Sequence, residues 1–259
     1  MRHEEFTARD GIFHGYRPAL GDAPTLVFAN SLGTDLRVWE RIVARLPDSW
    51  GVLRHDKRGH GLSAARVTLS IETLTDDVET LLDQYRVGDF AGVGLSVGGL
   101  VMQRLALRRP AQMTHLVLSD TAAKIGTPEI WNPRIETVLR DGIAAIGAAI
   151  LERWFAPAYR QTEDFALWQA MLERTPAAGY AQVCAAIRDA DYTADLARIA
   201  QPTLVLAGAE DSSTPPALVR AMAAGIAGAR FVEIGAAGHL PCVEQPERFT
   251  AELLGHLRG

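Results

Sequence analysis

Short runs of apolar residues recur along this chain, with stretches between them that are long enough for a helix. Six such runs are Thr25–Ala29, Gly51–Arg54, Phe90–Val93, His115–Asp120, Thr203–Ala207 and Arg230–Ile234. A strand that helices cover on both faces is apolar throughout, so the runs predict parallel strands. Ser70–Tyr85 carries apolar residues on one helical face and has Ser70 as a candidate N-cap. This alternation predicts an α/β fold with right-handed crossovers.

At the N-terminus the pattern changes to two strand-like segments, Glu4–Arg9 and Ile12–Arg17. Asp10-Gly11 between them favours a tight hairpin turn, because both positions of such a turn need a positive φ. We therefore expect an antiparallel hairpin before the parallel strands.

The alternation of strands and helices stops after Asp120 and resumes at Thr203. Between these points the sequence has helical periodicity, with candidate helices at Ile135–Leu139, Ile143–Trp154, Phe165–Leu172 and Tyr180–Ile187. A last helix is predicted from about Pro246 to Leu257. The pattern predicts a core from residues 1–120 and 196–259, with residues 121–195 inserted as a helical cap over one edge of the sheet.

Composition and charge exclude several classes of function. The chain has 259 residues and a formal net charge of −5, which argues against nucleic acid or an anionic membrane as partner. No apolar segment has the length of a membrane span, and residues 1–6 lack the apolar core of a secretory signal. We expect a cytoplasmic protein in which Cys184 and Cys242 are free thiols, with no metal-ligand cluster.

The strongest candidate for chemistry is Ser96, in the pentapeptide Gly94-Leu-Ser-Val-Gly98. The pentapeptide follows a predicted buried strand and precedes a helix predicted over about Val97–Arg109. A G-x-S-x-G at such a junction is typical of a nucleophile elbow, where a strained turn exposes the serine hydroxyl. The alternative is that Ser96 is only a small residue in a tight packing turn.

A serine hydroxyl needs a base that accepts its proton and a carboxylate that orients the base. Asp211 lies in the loop after the strand predicted at Thr203–Ala207, and His239 lies in a glycine-bounded loop after the last strand. We expect these two residues to complete a Ser-Asp-His triad, since all three follow the carboxyl ends of strands. Glu210 and Asp120 remain alternative acids, and we expect His55 and His60 to be structural.

The chain resembles the α/β-hydrolase superfamily over its full length, and the order Ser, Asp, His along the sequence is the order typical of that superfamily. The resemblance implies a mostly parallel eight-stranded sheet flanked by helices, and an oxyanion hole after the third strand. We assign that hole to the N–H groups of Leu32 and Val97. Asn30-Ser31 replaces the usual His-Gly here, which could place the Ser31 hydroxyl near the substrate.

Further motifs narrow the resemblance to the 3-oxoadipate enol-lactonases. They are the segments at 30–35, 58–61 and 94–99 and, most specific, the cap segments at 120–132, 134–135, 152–155, 179–180 and 184–191. The resemblance implies hydrolysis of a small anionic enol-lactone to 3-oxoadipate in aromatic catabolism, without a cofactor. Alternatives are an aryl esterase or a cofactor-free perhydrolase of the same fold, and a non-catalytic binding protein on this scaffold.

An anionic substrate of an acidic protein needs a local cation. The cap candidates are Lys124, Arg134, Arg153 and Arg188. We favour Arg134, beside Trp131, because a guanidinium can grip a carboxylate with two hydrogen bonds. Trp131 and Trp154 are expected to line the pocket, although each could instead be a core residue of the cap.

Overall fold

The computed structural model describes residues 2–65 and 67–258. Eight strands of these residues form one sheet in the order β1-β2-β4-β3-β5-β6-β7-β8. The strands are β1 (Glu5–Arg9), β2 (Ile12–Arg17), β3 (Thr25–Ala29), β4 (Gly51–His55), β5 (Phe90–Leu95), β6 (Met113–Ser119), β7 (Thr203–Gly208) and β8 (Arg230–Ile234). Strand β2 pairs in antiparallel fashion with both β1 and β4, whereas all pairs among β3 to β8 are parallel. The predicted mostly parallel sheet is confirmed.

The hairpin between β1 and β2 is also confirmed. Asp10 and Gly11 both have positive φ, 51° and 77°. Aspartate and glycine tolerate this conformation better than most residues, which explains why the chain reverses at this dipeptide.

Ten α-helices lie within the described residues. They are α1 (Glu40–Val43), α2 (Ile71–Gln84), α3 (Val97–Arg108), α4 (Pro128–Asp141), α5 (Ala144–Trp154), α6 (Phe165–Glu173), α7 (Ala177–Asp189), α8 (Pro216–Ala224), α9 (Pro241–Glu244) and α10 (Pro246–His256). Ser70 caps α2 as predicted, because its side chain accepts a hydrogen bond from the Thr73 N–H.

Helices α4 to α7 lie between β6 and β7 in the chain, in the region predicted as a cap, and we call residues 121–195 the cap. The first cap helix was predicted too short: it starts at Pro128 rather than Ile135 and continues through Pro133. Pro128 suits the first turn of a helix, where the missing N–H costs nothing. Sequence periodicity also missed α8, between β7 and β8.

One hydrophobic cluster runs through the sheet, its covering helices and the cap, so the cap packs on the core rather than standing apart. None of the helices described is both long and apolar enough to cross a bilayer. The carboxyl ends of β3, β5, β6, β7 and β8 meet at one edge of the sheet, because these strands are parallel. That edge carries the candidate site.

Candidate active site

Ser96 occupies the turn between β5 and α3 in a strained backbone conformation. Its φ is 57° and its ψ is −119°, which a non-glycine residue adopts only where the surroundings enforce it. The neighbouring end of β6 holds the turn: the Ser96 N–H donates to the Ser119 carbonyl at 2.9 Å, and the Thr121 hydroxyl donates to the Ser96 carbonyl at 2.7 Å. Strain of this kind is typical of a nucleophile elbow.

Two glycines make the elbow sterically feasible. A Cβ on Gly94 would lie 2.4 Å from the Gly98 carbonyl oxygen, and a Cβ on Gly98 would lie 2.0 Å from the Ala29 carbonyl oxygen. Both contacts are with backbone, which cannot turn aside as a flexible side chain can. Strand β5, helix α3 and the end of β3 therefore approach as closely as the pentapeptide predicts.

Asp211 and His239 form the expected acid–base pair. The His239 Nδ1 lies 2.8 Å from the Asp211 Oδ2, and both side chains are almost fully buried. Burial by itself would raise the pKa of Asp211. The charge of His239 and the hydrogen bonds that Asp211 accepts outweigh burial and lower that pKa, which keeps the carboxylate ionised.

The structure separates Asp211 from the alternative acids. Glu210 is exposed, so its side chain does not share the buried site. Asp120 is fully buried close to the pair, but the acid bonded to the His239 Nδ1 is Asp211. His55 and His60 lie buried outside the pocket that His239 lines, and burial lowers the pKa of both imidazoles, as expected for structural histidines.

The loop after β3 brings Ser31 and Leu32 to the same place. The Ser31 Oγ lies 3.5 Å from the His239 Nε2, and Leu32 lines the pocket beside Ser96. Val97 is the first residue of α3, so its N–H has no partner within the helix. The two N–H groups predicted for an oxyanion hole thus belong to the loop and the elbow that flank the serine.

Ser96, His239 and Ser31 line a cavity of about 80 Å³ between the sheet edge and the cap. Its cap wall contains Trp131, Trp154, Arg134 and Arg153, together with Ile125, Ile130, Ile150 and Ile187. The Trp131 Nε1 donates to the Ile125 carbonyl at 2.7 Å, which fixes the indole in this wall. Both predicted tryptophans therefore face the serine side of the cap.

The four candidate cations have different surroundings. Lys124 lies at the surface, where its ammonium pairs with Asp191 at 3.0 Å, and the structure does not bring it into the pocket. Arg188 also pairs with its sequence neighbour, Asp189. Arg153 and Arg134 both line the pocket. The Arg153 Nη2 donates to the Ser212 carbonyl at 3.4 Å, whereas the Arg134 guanidinium lies 5.3 Å from the centre of the Trp131 ring and 5.6 Å from that of Tyr180.

The match to a family model agrees with this geometry. Residues 26–252 match the model of the alpha/beta hydrolase family. The chain belongs to that family. It is therefore a hydrolase, and its inserted helices occupy the face of the fold on which Ser96 and His239 lie.

Individual relatives in the family are similar over nearly the whole chain. Two 3-oxoadipate enol-lactonases of Acinetobacter baylyi are 34% identical over 95% of this chain and 93% of their own, and 35% identical over 92% and 90%. A crystal structure of the enol-lactonase from Burkholderia xenovorans superposes with a TM-score of 0.92 at 38% identity, covering 98% of this chain and 100% of that one. These similarities confirm the resemblance to the 3-oxoadipate enol-lactonases that the cap motifs indicated.

Sequence reasoning did not assign a role to Thr214 in this hydrolase. Its hydroxyl donates to the Asp211 Oδ2 at 2.7 Å and lies 3.3 Å from the His239 Nδ1. The N–H groups of Ser213 and Thr214 donate to the Asp211 Oδ1. These bonds form an Asx-type turn, which makes the loop that carries Asp211 rigid.

Glu244 was missed altogether, because nothing in its local sequence marks it. Its carboxylate accepts hydrogen bonds from the Gly238 N–H at 2.7 Å and the Ala156 N–H at 2.9 Å. Burial raises the pKa of Glu244 to about 7, against the opposing effect of these two N–H groups. The residue joins the loop of His239 to the cap.

Asp120, Asp211 and His239 each place one potential ligand atom within 4.8 Å of the others, a spacing that a metal ion could use. The three groups already have hydrogen-bond partners: His239 pairs with Asp211, and Asp120 accepts from the Gly208 N–H and the Ser119 hydroxyl. These bonds occupy the lone pairs that a cation would need, so the donor set suits a catalytic triad better than a metal centre.

Proposed function

We propose that this hydrolase opens the ring of a small anionic enol-lactone, 3-oxoadipate enol-lactone, through an acyl-enzyme on Ser96. The observation that carries the proposal is the His239–Asp211 pair at 2.8 Å in a pocket shared with the elbow serine, beneath a cap that supplies Arg134. The names of the relatives in Acinetobacter baylyi and Burkholderia xenovorans support the choice of substrate.

The chemistry follows from the positions of the groups. Ser96 Oγ attacks the lactone carbonyl while His239 accepts the hydroxyl proton, and Asp211 stabilises the imidazolium. The N–H groups of Leu32 and Val97 stabilise the oxyanion, each to the extent of about 3 kcal/mol. The ring C–O bond breaks, and the released enol oxygen takes a proton from His239.

The second half of the reaction uses the same residues. The released enol becomes a ketone, which removes the group that could close the ring again. His239 then takes a proton from water, the resulting hydroxide attacks the acyl-enzyme, and the proton returns to Ser96 Oγ. His239 carries every proton of the acylation and deacylation steps, so no cofactor enters the scheme.

Arg134 is the group that we assign to the substrate carboxylate. Like Arg153, which also lines the pocket, and unlike Lys124 and Arg188, it has no carboxylate partner within ion-pair distance in the described residues. The rings of Trp131 and Tyr180 hold its guanidinium on the cap side of the pocket. A bound carboxylate would supply the missing anion in a site shielded from water, where a charge pair is strong.

The decisive experiment follows the ultraviolet absorbance of the enol-lactone during incubation with the purified protein. We expect turnover by the wild type and none by Ser96→Ala. Ser31→Ala is the matched control, because Ser31 also lies beside His239 but outside the strained elbow, and it should retain measurable activity. Lactone turnover that persists in Ser96→Ala would contradict the assignment of the nucleophile.

A second candidate, an esterase for neutral aryl esters, is favoured by the isoleucine side chains of the pocket wall. The same protein and variants should therefore be tested on a neutral aryl ester. If the wild type cleaves that ester but not the lactone, a neutral ester replaces the lactone as the proposed substrate. If the wild type cleaves neither, the result favours a binding protein.

A further test separates Arg134 from the other cap cations. Replacing Arg134 with alanine should raise KM for the lactone about 10- to 100-fold, because a hydrogen bond to a charged group contributes roughly 1.5–3 kcal/mol. KM for a neutral ester should change little, and Lys124→Ala should leave both values near those of the wild type. Equal effects of Arg134→Ala on both substrates would show that the arginine does not bind the carboxylate.

A further inference from the structure

Asp120 is a second carboxyl group buried behind the acid of the triad. It follows β6, is fully buried and has a φ of 47°, a left-handed conformation that few non-glycine residues adopt. Its Oδ1 accepts the Gly208 N–H at 2.7 Å, and its Oδ2 accepts the Ser119 hydroxyl at 2.6 Å. These bonds aim the side chain at the loop that carries Asp211.

One carboxyl oxygen of Asp120 lies within 4.8 Å of one of Asp211, and both carboxyl groups are buried. Two ionised carboxylates this close would repel each other in a site shielded from water, so we expect one of the pair to carry a proton. In the residues described, no cationic side chain other than His239 lies within ion-pair distance of either group. A second buried negative charge would therefore be uncompensated.

The hydrogen bonds decide which group is protonated. Asp211 accepts four, from Ser213 N–H, Thr214 N–H, Thr214 Oγ1 and His239 Nδ1, which stabilise it as an anion. Asp120 accepts only two, from neutral donors. Burial, and next the charge of Asp211, raise the pKa of Asp120 well above its ordinary range. The titratable groups that face it are Asp211, His239 and Cys242.

We propose that Asp120 is a positioning residue for the triad: as a neutral carboxylic acid it donates a hydrogen bond to Asp211 and holds that carboxylate in line with His239 Nδ1. It touches no substrate and acts only through Asp211. The inference rests on the proposed function in one respect, that Asp211 is the acid of the triad. It explains why a buried aspartate is kept at the end of β6 without a counter-ion.

The protonation state can be tested without any substrate. Infrared difference spectroscopy between the wild type and Asp120→Asn at neutral pH should show the carbonyl stretch of a protonated carboxyl group, lost in the variant. Asp77→Asn serves as a control, because Asp77 is a mostly buried aspartate that pairs with Arg58 away from the site. A difference spectrum that contains only carboxylate bands for Asp120 would overturn the proposal, whatever the substrate of the enzyme proves to be.

Kinetics on the lactone and on a neutral ester test the positioning role. Asp120→Ala should lower kcat on the order of 10- to 100-fold with KM almost unchanged, because a misaligned carboxylate misorients the base. Asp120→Asn keeps a neutral N–H donor towards Asp211 and should recover kcat to within about fivefold of the wild type. Asp77→Asn should lose stability without loss of kcat.

The two assays also separate the possible failures. Loss of kcat in Asp120→Asn equal to that in Asp120→Ala, at similar thermal stability, would overturn the positioning role. If Asp120→Ala does not fold, the infrared band and the kcat of Asp120→Asn decide the question. If the wild type turns over only the neutral ester, the proposed substrate fails while the test of Asp120 remains valid.

Discussion

At the scale of single residues, Lys57 shows how a buried ammonium holds the loop after β3. Lys57 is buried, and its Nζ donates to the Thr34 carbonyl at 2.7 Å, which also accepts the Asn30 Nδ2 at 3.0 Å. Lys57, Asn30 and Val97 line one small cavity beneath the site. Burial lowers the pKa of Lys57 to about 7, and the negative charges of Asp56 and Asp35 only partly oppose the shift.

This burial makes stability depend on pH in a definite direction. Below pH 7 the folded and unfolded chains both protonate Lys57, so the cost of burying the charge is fully present. Between pH 7 and the ordinary lysine value the unfolded chain binds the additional proton, and stability rises with pH. Relative to Lys57→Met, the wild type should gain roughly 1 kcal/mol per pH unit above pH 7. Urea unfolding of both proteins at several pH values measures the difference, and parallel curves would contradict it.

At the scale of elements, local chemistry fixed the turns, whereas packing fixed the lengths of the helices. Asp10-Gly11, Ser70 and the elbow pentapeptide could be interpreted from sequence because each depends on its own backbone geometry. Helix α4 was predicted only at 135–139, because its N-terminal half is mostly exposed, buries Trp131 alone and contains Pro133. The helix packs against α7 and α5, and periodicity within α4 does not reveal these contacts.

The elbow gives the prediction at this scale. Gly98→Ala should lower the free energy of unfolding by roughly 1–3 kcal/mol or more, because the added Cβ meets the Ala29 carbonyl, which cannot move without shifting β3. Gly147→Ala, in the middle of α5 with nothing within 4 Å of the new Cβ, should instead stabilise by up to about 1 kcal/mol. Thermal unfolding of both variants checks the contrast, and equal shifts would rule out steric crowding at the elbow.

At the scale of the whole molecule, hydrogen bonds join the cap to the loop that carries His239. The His239 N–H donates to the Trp154 carbonyl at 2.7 Å, and Glu244 bridges Gly238 and Ala156. The cap thus lines the pocket and is also bonded to the loop that carries His239. Sequence reasoning did not find the contact of Asp120 with the end of β7 or that of Glu244 with the cap, because these partners are distant along the chain.

Glu244→Ala tests this coupling. Removing the carboxylate leaves two buried N–H groups without acceptors, each costing about 1–3 kcal/mol, and frees the His239 loop. We expect a lower melting temperature together with a lower kcat. Glu247→Ala removes a nearby exposed glutamate that pairs with Arg45 and should change neither. A stability loss in Glu244→Ala with unchanged kcat would show that the bridge does not position His239.

The sequence alone determined two features: the elbow, and the loops after the strands that carry the candidate catalytic residues. The elbow depends on local backbone requirements, and the placement of the loops depends on the rule that parallel strands end at one edge of the sheet. Ser96, Asp211 and His239 could be named on that basis. Only the tertiary structure showed that Asp211, rather than Glu210 or Asp120, is bonded to the His239 Nδ1, and only it placed Lys124 at the surface and Arg134 in the pocket. These outcomes depend on burial and on partners distant in the chain, which a linear pattern does not encode.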